Sequence, residues 1–511
     1  MRIRTFLLIL SWVLPLSACT VESPEPVSST LISNAVIFDG SGDDPYKGSV
    51  RFDATTQRII AVGDLEITPG EIVIDAKGLA LAPGFIDSHS HHDDDLEEYP
   101  HMPGVLSQGI TTIVRGVDGS GGNYATVAEF QAAFAARPAA VNVASFSAHN
   151  SIRQHVMGGD NRRHASDVEI EAMAVLVEAD MQAGALGLST GLEYEPGIFS
   201  ATEEVIALAR VAASQGGHYS SHLRDEDDRF VDAIEEILRI GREAEIPVQV
   251  SHIKLADRLA WGSTAAIIET LDAARAEGVE ISADIYPYER WASNLAVLFP
   301  ERDYSSVETA EYTFERTAAA EDILLISYPV NPAFEGMTVA EIAGITERDE
   351  VTTLLELSQA AEDHRRETGE DTGIIAKSMN NDDIAAFMRW PFTNICSDGW
   401  HGGHPRGYGS FPRVLGLFVR ELGVFTTAEA IFKMTARAAD NIGVRDRGRI
   451  EAGHYADLVL FNPETIIDHA TMKEPMAMSS GIERVWVNGA LAFDDGAPTG
   501  VFAGQTVSRT D

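Results

Sequence analysis

The sequence predicts an α/β protein whose central part is a (β/α)8 barrel. Strand-like and helix-like stretches alternate through the middle of the chain, and polar residues capable of chemistry follow the strand ends. No glycine-rich phosphate-binding turn follows an early strand, which makes a doubly wound open sheet the weaker alternative. The eight predicted strands are Gly84–His91, Thr111–Gly116, Val141–His149, Gly184–Thr190, His218–His222, Val248–His252, Val279–Tyr286 and Phe392–Asp398.

Short alternating strands separated by Gly, Asp and Pro turns occur at both ends of the chain. We expect residues 31–80 and 440–505 to form one small β-sandwich, with the barrel over residues 81–439. An insert is expected at about residues 294–390, between the seventh and eighth barrel strands. It contains helical patterns over Val307–Ala320 and Glu350–Glu367, and it is interpreted as a lid or a plain capping subdomain beside the barrel mouth.

The first nineteen residues predict export rather than fold. A basic start is followed by an apolar run over Phe6–Leu16, and the segment ends in Leu-Ser-Ala-Cys at Cys19, similar to a bacterial lipobox. We expect a signal peptide over residues 1–19, a lipid on Cys19, a flexible tether over residues 20–30, and a periplasmic or cell-surface location. An ordinary signal peptide is the alternative. Cys396 is the only other cysteine, so lipidation would leave no disulfide.

The charge balance excludes one class of partner. The 511 residues carry a net charge of −40, whereas nucleic-acid binding requires clustered cationic side chains. We expect a small-molecule substrate, and contact with a membrane only through the lipid.

The strand ends supply a set of metal ligands. Two histidines stand at alternate positions after the first strand and can address one point, since alternate residues of a strand share a face. Carboxyl ends of barrel strands meet on one side of the barrel, so ligands from later strands can join them. Imidazoles and carboxylates bind zinc, and the sequence therefore predicts a site for one or two Zn²⁺ ions of a hydrolase. The predicted ligands are His89, His91, Asp118, His222, His252 and Asp398.

Longer motifs around these residues resemble the N-acyl-D-amino-acid deacylase (D-aminoacylase) branch of the amidohydrolase superfamily. The resemblance runs from about residue 31 to 505. It implies zinc-dependent hydrolysis of N-acyl-D-amino acids to a carboxylate and a free D-amino acid, and the D preference comes from the resemblance alone. The motifs are PGFIDSHSH (83–91), QGITT (108–112), GALGLSTGLEYEPG (184–197), SHIK (251–254), DIYPY (284–288), SDG (397–399), HPR (404–406) and SFPR (410–413), followed by a closing β segment over 448–489.

The expected chemistry assigns roles to residues at the mouth. Water activated by the metal attacks the amide carbonyl, while Asp398 acts as general base and then returns the proton to the leaving amine. Lys254 faces the mouth by strand alternation, and Arg406 can bind the substrate carboxylate through two parallel hydrogen bonds. The resemblance adds Tyr286 and Ser293 to this pocket, although packing and a turn explain these two residues nearly as well.

Two positions depart from the family pattern. The family usually places a cysteine ligand after the second strand, where this chain has Asp118, so metal affinity, identity and number stay open. His92 stands where the family tends to have aspartate. Alternation points it away from His89 and His91, which predicts an outer position. The fourth strand end offers no lysine for a carbamylated bridge.

Other polar residues receive no catalytic role. His149 and Arg153 match a third-strand motif of the family without a definite function. Arg224, Asp225 and Glu226 are interpreted as a structural ion-pair cluster.

Three functions remain open from the sequence. The first is the deacylase, and the second is a dipeptidase or cyclic-amide hydrolase of the same superfamily. The third, from a different class, is a non-catalytic surface binding lipoprotein. A complete ligand set argues against the third, because a purely binding protein does not require all of the ligands.

Overall fold

The structure is a computed structural model that describes residues 29–94 and 96–509. The predicted signal peptide, Cys19 and residues 20–28 of the predicted tether lie outside these residues. Ser29 and Thr30 already belong to the first strand, so regular structure begins inside the predicted tether. Within the described ranges, no helix is long and apolar enough to cross a membrane.

Strands fall into four groups along the chain. The first group is β1 (Ser29–Ile37), β2 (Tyr46–Asp53), β3 (Arg58–Gly63), β4 (Ile72–Asp75) and β5 (Ala80–Pro83). The barrel follows with β6 (Phe85–Asp87), β7 (Ile110–Arg115), β8 (Asn142–Ser145), β9 (Ser147–Ala148), β10 (Gly187–Gly191), β11 (His218–His222), β12 (Val248–Val250) and β13 (Ile281–Ile285). The insert contributes β14 (Arg290–Ser293), β15 (Ile323–Ser327) and β16 (Gly373–Lys377). The last group is β17 (Thr393–Ile395), β18 (Leu458–Phe461), β19 (Ile482–Val487), β20 (Ala490–Asp494), β21 (Ala497–Pro498) and β22 (Thr506–Val507).

Helices occupy the connections between these strands. They are α1 (Pro103–Leu106), α2 (Val127–Ala136), α3 (His149–Met157), α4 (Asp167–Gln182), α5 (Thr202–Ser214), α6 (Phe230–Ala244), α7 (Thr264–Ala276), α8 (Val307–Tyr312), α9 (Val339–Thr346), α10 (Glu350–Thr368), α11 (Asn381–Arg389), α12 (Arg406–Arg413), α13 (Thr427–Met434) and α14 (Ala436–Ile442).

Parallel pairing builds the barrel in two arcs. One arc runs β6-β7-β8 and the other runs β9-β10-β11-β12-β13-β17. Phe146 separates β8 from β9, which together occupy the third position. At the mouth, a parallel bridge between Ser90 and Gly399 joins the extensions of the first and eighth strands. Two hydrogen bonds reinforce it, from His91 N–H to Gly399 O at 2.9 Å and from Asp398 N–H to His89 O at 2.8 Å. The closure of the barrel therefore fixes the backbone of three predicted site residues, His89, His91 and Asp398.

Both chain ends contribute strands to one nine-stranded sheet, where the sequence predicts a small β-sandwich. Its order is β21-β20-β19-β18-β5-β1-β2-β3, with β4 paired to β1. The sheet has its own apolar core, in which Phe52 packs edge-on against Trp486. Burial of such a core drives the two ends together although they are more than 400 residues apart.

The apolar run before the first two histidines is divided between two sheets. β5 pairs with β1 and β18, whereas β6 starts two residues later and pairs with β7. Phe85, the first residue of β6, stacks on Phe411 with ring centroids 5.7 Å apart and meets Phe461 edge-on. Phe85 thus packs the barrel core against β18 of the terminal sheet.

The insert is smaller than the predicted range, and its elements differ in detail. It forms an antiparallel sheet in the order β14-β16-β15, which begins at Arg290 and includes two strands that the sequence did not predict, β14 and β16. The predicted helix over 307–320 ends as regular α-helix at Tyr312, and residues 313–317 continue in a wider turn. α11, inside the predicted insert, packs on α7, β13 and β17 and is a barrel helix.

The chain end returns to the barrel. β22, which lies just beyond the predicted sandwich range of 440–505, pairs in parallel with β8.

Candidate metal centre and active site

The first two predicted ligands lie just beyond β6, in a buried extended segment. The His89 side chain is fully buried, whereas His91 is one quarter exposed toward the mouth. Their Nε2 atoms lie 3.3 Å and 3.4 Å from the same oxygen, Oδ2 of Asp118. Alternation along the strand direction therefore brings both imidazoles to one point.

Three further predicted ligands stand in turns with left-handed backbone conformations. The φ angles are 51° at Asp118, 36° at His252 and 50° at Asp398. Such conformations cost about 1–3 kcal/mol each and persist only where the surrounding structure determines them. Each turn directly follows a barrel strand, so the strained positions gather around one mouth.

Four side chains form the tightest group at this mouth. His89, Asp118, His252 and Asp398 each offer one donor atom, and the four atoms lie within 4.8 Å of one another. Asp398 Oδ1 lies 3.3 Å from His91 Nε2 and 3.7 Å from His89 Nε2. Asp118 Oδ1 lies 3.5 Å from His252 Nε2. His91 thus contacts both carboxylates of the group.

The sixth predicted ligand joins from the fifth strand. His222 Nδ1 lies 2.9 Å from His252 Nε2, and its ring is almost fully buried. The structure therefore brings together all six residues that the sequence predicts as metal ligands.

Two carboxylates that the sequence analysis missed lie behind these histidines. Glu193 Oε2 lies 2.7 Å from His222 Nε2, and Glu226 Oε1 lies 3.2 Å from His252 Nδ1. Glu193 follows the fourth strand and Glu226 follows the fifth. Their positions after strand ends were a usable signal, but nothing in the sequence showed which way their side chains turn.

The central carboxylates are ionised at neutral pH. Burial opposes ionisation, yet His89 and His252 hold the pKa of Asp118 well below its usual value. Burial likewise opposes ionisation of Asp398, whose pKa the Arg406 guanidinium and His252 lower. Ionised carboxylates accept but cannot donate, which is the state that metal coordination requires.

These residues fit a metal ion. Among the described residues, neither ring nitrogen of His89 has a hydrogen-bond partner, and the same is true of Asp118 Oδ1. Buried polar atoms are nearly always paired, so His89 Nε2 and Asp118 Oδ1, which both face the cluster without a hydrogen bond, indicate a missing partner. Nitrogen and oxygen donors in this number suit Zn²⁺, as one ion or two.

Arg406 lies beside the ligand group His89, Asp118, His252 and Asp398, which is called the metal cluster below. Its Nη1 is 2.7 Å from Asp398 Oδ2. The guanidinium carbon lies over two aromatic rings, 4.7 Å from the Tyr286 centroid and 5.4 Å from the Trp400 centroid. Cation–π contacts at these distances favour a guanidinium held close to the rings. Tyr286 is buried, and its hydroxyl approaches Met379 Sδ at 4.0 Å.

Lys254 is buried and fully engaged in the structure. Its ammonium lies 2.6 Å from each oxygen of Glu226 and 2.7 Å from His252 Nδ1. An ammonium has three donors, so a substrate carboxylate would have to replace one of these partners. Ser293 belongs to β14 and lines both cavities described below.

Several other sequence interpretations change. Arg224 pairs with Glu236 at 2.9 Å, not with its neighbours Asp225 and Glu226. Asp225 pairs instead with Arg229 at 3.2 Å. The predicted cluster of three is therefore wrong, because the three side chains diverge in the turn after β11.

The third-strand pair is structural. His149 Nε2 and Arg153 Nε both contact Glu204 Oε1, at 2.9 Å and 3.0 Å, and all three side chains are buried. His92 turns away from the metal cluster into a small cavity with Tyr99, His401 and Tyr408, as alternation predicts.

Two cavities open on the metal cluster. The larger one, about 690 Å³, starts at His91 and Asp118 and is walled mainly by polar side chains. The smaller one, about 40 Å³, contains Lys254 and Asp398 and is lined by both charged and apolar side chains. The cavities share Tyr194 and Ser293, so a bound molecule at the cluster can extend into both.

A family comparison agrees with this geometry. The family described as "Amidohydrolase family" matches residues 72–364 and 383–493. The chain belongs to this family. The predicted fold class and family resemblance of this amidohydrolase are thereby confirmed.

Relatives of this amidohydrolase are similar over nearly their whole length. D-aminoacylase of Alcaligenes xylosoxydans xylosoxydans is 34% identical over 94% of this chain and 97% of its own. N-acyl-D-aspartate deacylase of the same organism is also 34% identical, over 96% and 97%. The crystal structure of N-acyl-D-glutamate deacylase from Bordetella bronchiseptica, complexed with zinc and a phosphonate inhibitor, matches with a TM-score of 0.82. It is 33% identical and covers 94% of this chain and 99% of that chain.

Proposed function

We propose that this amidohydrolase is a zinc-dependent deacylase that hydrolyses N-acyl-D-amino acids to a carboxylate and a free D-amino acid. The observation that carries the proposal is the buried His89–Asp118–His252–Asp398 cluster at the barrel mouth. The named relatives act on N-acyl-D-amino acids, and the inhibitor in the zinc-containing structure mimics a tetrahedral reaction intermediate.

We assign the metal to His89, His91, Asp118, His222, His252 and Asp398. When bound, zinc lowers the pKa of a water ligand to about 7 and polarises a carbonyl oxygen. Asp398 faces the reaction centre and is ionised, so it can accept the proton of the attacking water. It then delivers this proton to the leaving amine, which is a poor leaving group unless protonated.

The substrate carboxylate is assigned to Arg406, with Lys254, Tyr286 and Ser293. Arg406 lies over the Tyr286 and Trp400 rings next to Asp398, which supports binding of a carboxylate close to the reacting amide. Lys254 contributes a second positive charge at the barrel mouth. This charge matters because the protein as a whole, with its net charge of −40, repels anions.

The proposal is tested by chiral product analysis. The zinc-loaded protein is incubated with N-acetyl-D- and N-acetyl-L-amino acids and with dipeptides. We expect release of free D-amino acid and little release of the L form. Preference for L substrates, dipeptides or cyclic amides would reject the assignment in favour of another hydrolase of the superfamily.

We further propose that the protein is exported and anchored by a lipid on Cys19. The Leu-Ser-Ala-Cys sequence after an apolar run supports this. In cells that process lipoproteins, the wild type should incorporate labelled palmitate and partition into detergent. Cys19→Ser should lose both properties, and an unlabelled wild type would contradict the proposal.

A further inference from the structure

Four large apolar side chains are exposed close to the start of the described chain. Ile60, Ile67, Ile72 and Val73 are 47%, 65%, 62% and 42% exposed, and they are called the apolar patch below. They lie in β3, in β4 and in the loop between these two strands. Single exposed apolar residues are common on soluble proteins, whereas a group of them on one part of the surface marks a contact site.

Strand pairing gathers the patch at the end of the terminal sheet where β1 begins. Ile72 lies opposite Thr30, because β4 pairs in parallel with the first residues of β1. On the other side of β1, Thr30 lies opposite Phe52 of β2. Phe52 in turn lies opposite Ile59, the neighbour of Ile60. Four strands separated by about 4.8 Å each make this row about 15 Å wide, so the two ends of the patch are close.

Two members of the patch point away from the core of the sheet. Ile59 is buried in that core, and Ile74 packs against it. Val73 precedes Ile74 and therefore points to the opposite, outer face, since side chains alternate along a strand. Ile60 is 47% exposed directly beside the buried Ile59, so it also turns outward.

The loop that carries Ile67 is held over the same outer face. Val50 and Phe52 are buried in the core of the sheet, so Arg51 between them points outward. Arg51 donates to the backbone oxygen of Glu66 at 2.6 Å and pairs with Glu71 at 2.8 Å. These contacts place the loop above the middle of the row, between Ile60 and Val73.

The patch lies next to the point at which the predicted tether reaches the fold. Residues 20–28 separate Cys19 from Ser29, the first residue of β1. A chain of this length spans at most about 35 Å even when fully extended. A lipid on Cys19 would therefore keep the start of β1 within this distance of the membrane. Ile72 is one strand spacing from Thr30, so the patch stays at the tethered end of the protein.

The charges around the patch favour an apolar contact over an electrostatic one. Arg51 is neutralised by Glu71, and Asp64 and Glu66 of the loop are exposed. The whole protein carries a net charge of −40. Anionic head groups would gain nothing from this surface, whereas the boundary between head groups and acyl chains can remove aliphatic side chains from water.

We propose that the apolar patch docks on the membrane that holds the lipid of Cys19, with its four side chains entering the boundary between head groups and acyl chains. The inference rests on the proposed lipid anchor, because membrane binding scales with the apolar area that is buried and four side chains alone bury little. It adds an orientation, in which the terminal sheet faces the membrane.

Nitroxide labels on the lipidated full chain test the docking. Ile67→Cys and Ile345→Cys are produced in a bacterium that processes lipoproteins, and each is reconstituted in neutral phosphatidylcholine vesicles. The two positions are matched, since Ile345 lies in α9 of the insert and is 61% exposed against 65% for Ile67. The native cysteines should not react with the label, because Cys396 is buried and the sulfur of Cys19 would carry the lipid.

The measurement compares collisions of the label with oxygen, which concentrates in the bilayer, and with a water-soluble nickel complex. We expect the ratio of oxygen to nickel accessibility to be severalfold higher at residue 67 than at residue 345. Added salt should leave this difference unchanged, because screening weakens charge interactions and not apolar burial. Val73→Cys should behave like Ile67→Cys, and it carries the comparison if Ile67→Cys does not fold.

Failure of the docking is distinguishable from failure of the anchor. Equal ratios at residues 67 and 345 in lipidated protein would overturn the docking and leave the anchor intact. A label at residue 67 that neither reagent reaches would also overturn it, because protein would then cover the patch. A difference that disappears in high salt would overturn the apolar contact. Absence of lipid on Cys19, measured by mass spectrometry, would overturn the anchor and the docking together.

Discussion

His222 and His252 end neighbouring barrel strands, and Nδ1 of the first lies 2.9 Å from Nε2 of the second. Nδ1 of His252 lies 2.7 Å from the Lys254 ammonium and 3.2 Å from Glu226, and the opposite nitrogen of His222 faces the Glu193 carboxylate. A histidine that binds a metal through one nitrogen usually donates its other N–H to such a partner, which fixes the tautomer and the ring orientation. The pair is thus oriented to present Nδ1 of one ring and Nε2 of the other to the same space.

Glu193→Gln should weaken zinc binding. The amide replaces an ionised acceptor by a weaker one behind His222, and loss of such a partner typically costs about 10–100-fold in metal affinity. Zinc affinity measured by competition with a chelator checks this. Glu203→Gln, a surface change at the start of α5, is the control. Equal zinc affinity for the two variants would contradict the prediction.

Asp398→Asn should nearly abolish turnover and leave part of the metal bound. Asparagine can still offer an oxygen near His91, but it cannot take up the proton of water. General acid–base groups contribute about 10²–10⁴-fold to rate. Turnover and metal content are measured on the same sample. Wild-type turnover in the metal-loaded variant would reject the role of Asp398.

Asp118→Cys should change metal preference. A thiolate is softer than a carboxylate, so the variant should favour Zn²⁺ and Cd²⁺ over Mn²⁺ more strongly than the wild type does. Competition between Zn²⁺ and Mn²⁺ for the metal-free protein measures this ratio. An unchanged ratio would show that Asp118 does not coordinate the ion.

Asp227→Asn should stabilise the fold at alkaline pH. Burial, together with the charge of Asp225, raises the pKa of Asp227 to about 8. The folded chain therefore holds a proton that the unfolded chain releases near pH 4, and stability falls as pH rises between these values. The gain in Tm from the substitution should be greatest above pH 8 and smallest below pH 4.

The control for this pH dependence is Asp228→Asn. Asp228 is the next residue and is exposed. Its replacement by asparagine therefore removes a carboxylate that water already solvates. An asparagine in place of Asp227 keeps the oxygen that accepts from the backbone N–H of residue 228, at 2.6 Å in the wild type. A Tm gain independent of pH would contradict the assignment of the buried proton to Asp227.

Gly187→Ala should disrupt the barrel. A Cβ at this position in β10 would overlap the backbone oxygen of His218 in the adjacent strand. Forced backbone shifts of this kind cost about 1–3 kcal/mol or more. Gly344→Ala in α9 meets no atom within 4 Å and should instead stabilise by about 1 kcal/mol. Denaturant unfolding of both variants measures the contrast.

The sequence by itself determined the barrel strands and the residues that follow them. β7 is buried along its whole length, as expected of a barrel strand covered on both faces, and alternation placed His89 and His91 on one side. These signals are local, since they depend on the period of one strand. The terminal sheet was also predictable, because its short strands repeat the same kind of pattern at both chain ends.

Only the tertiary structure decided which polar side chains share the site. Glu226 and Asp225 are adjacent, yet one faces His252 and the other pairs with Arg229. Likewise, Glu193 faces His222, whereas Glu195, two residues later, contacts arginines from the insert. Directions such as these depend on turn conformation and on packing against distant segments. No local period encodes them, and for this reason the residues behind the metal ligands emerged only from the fold.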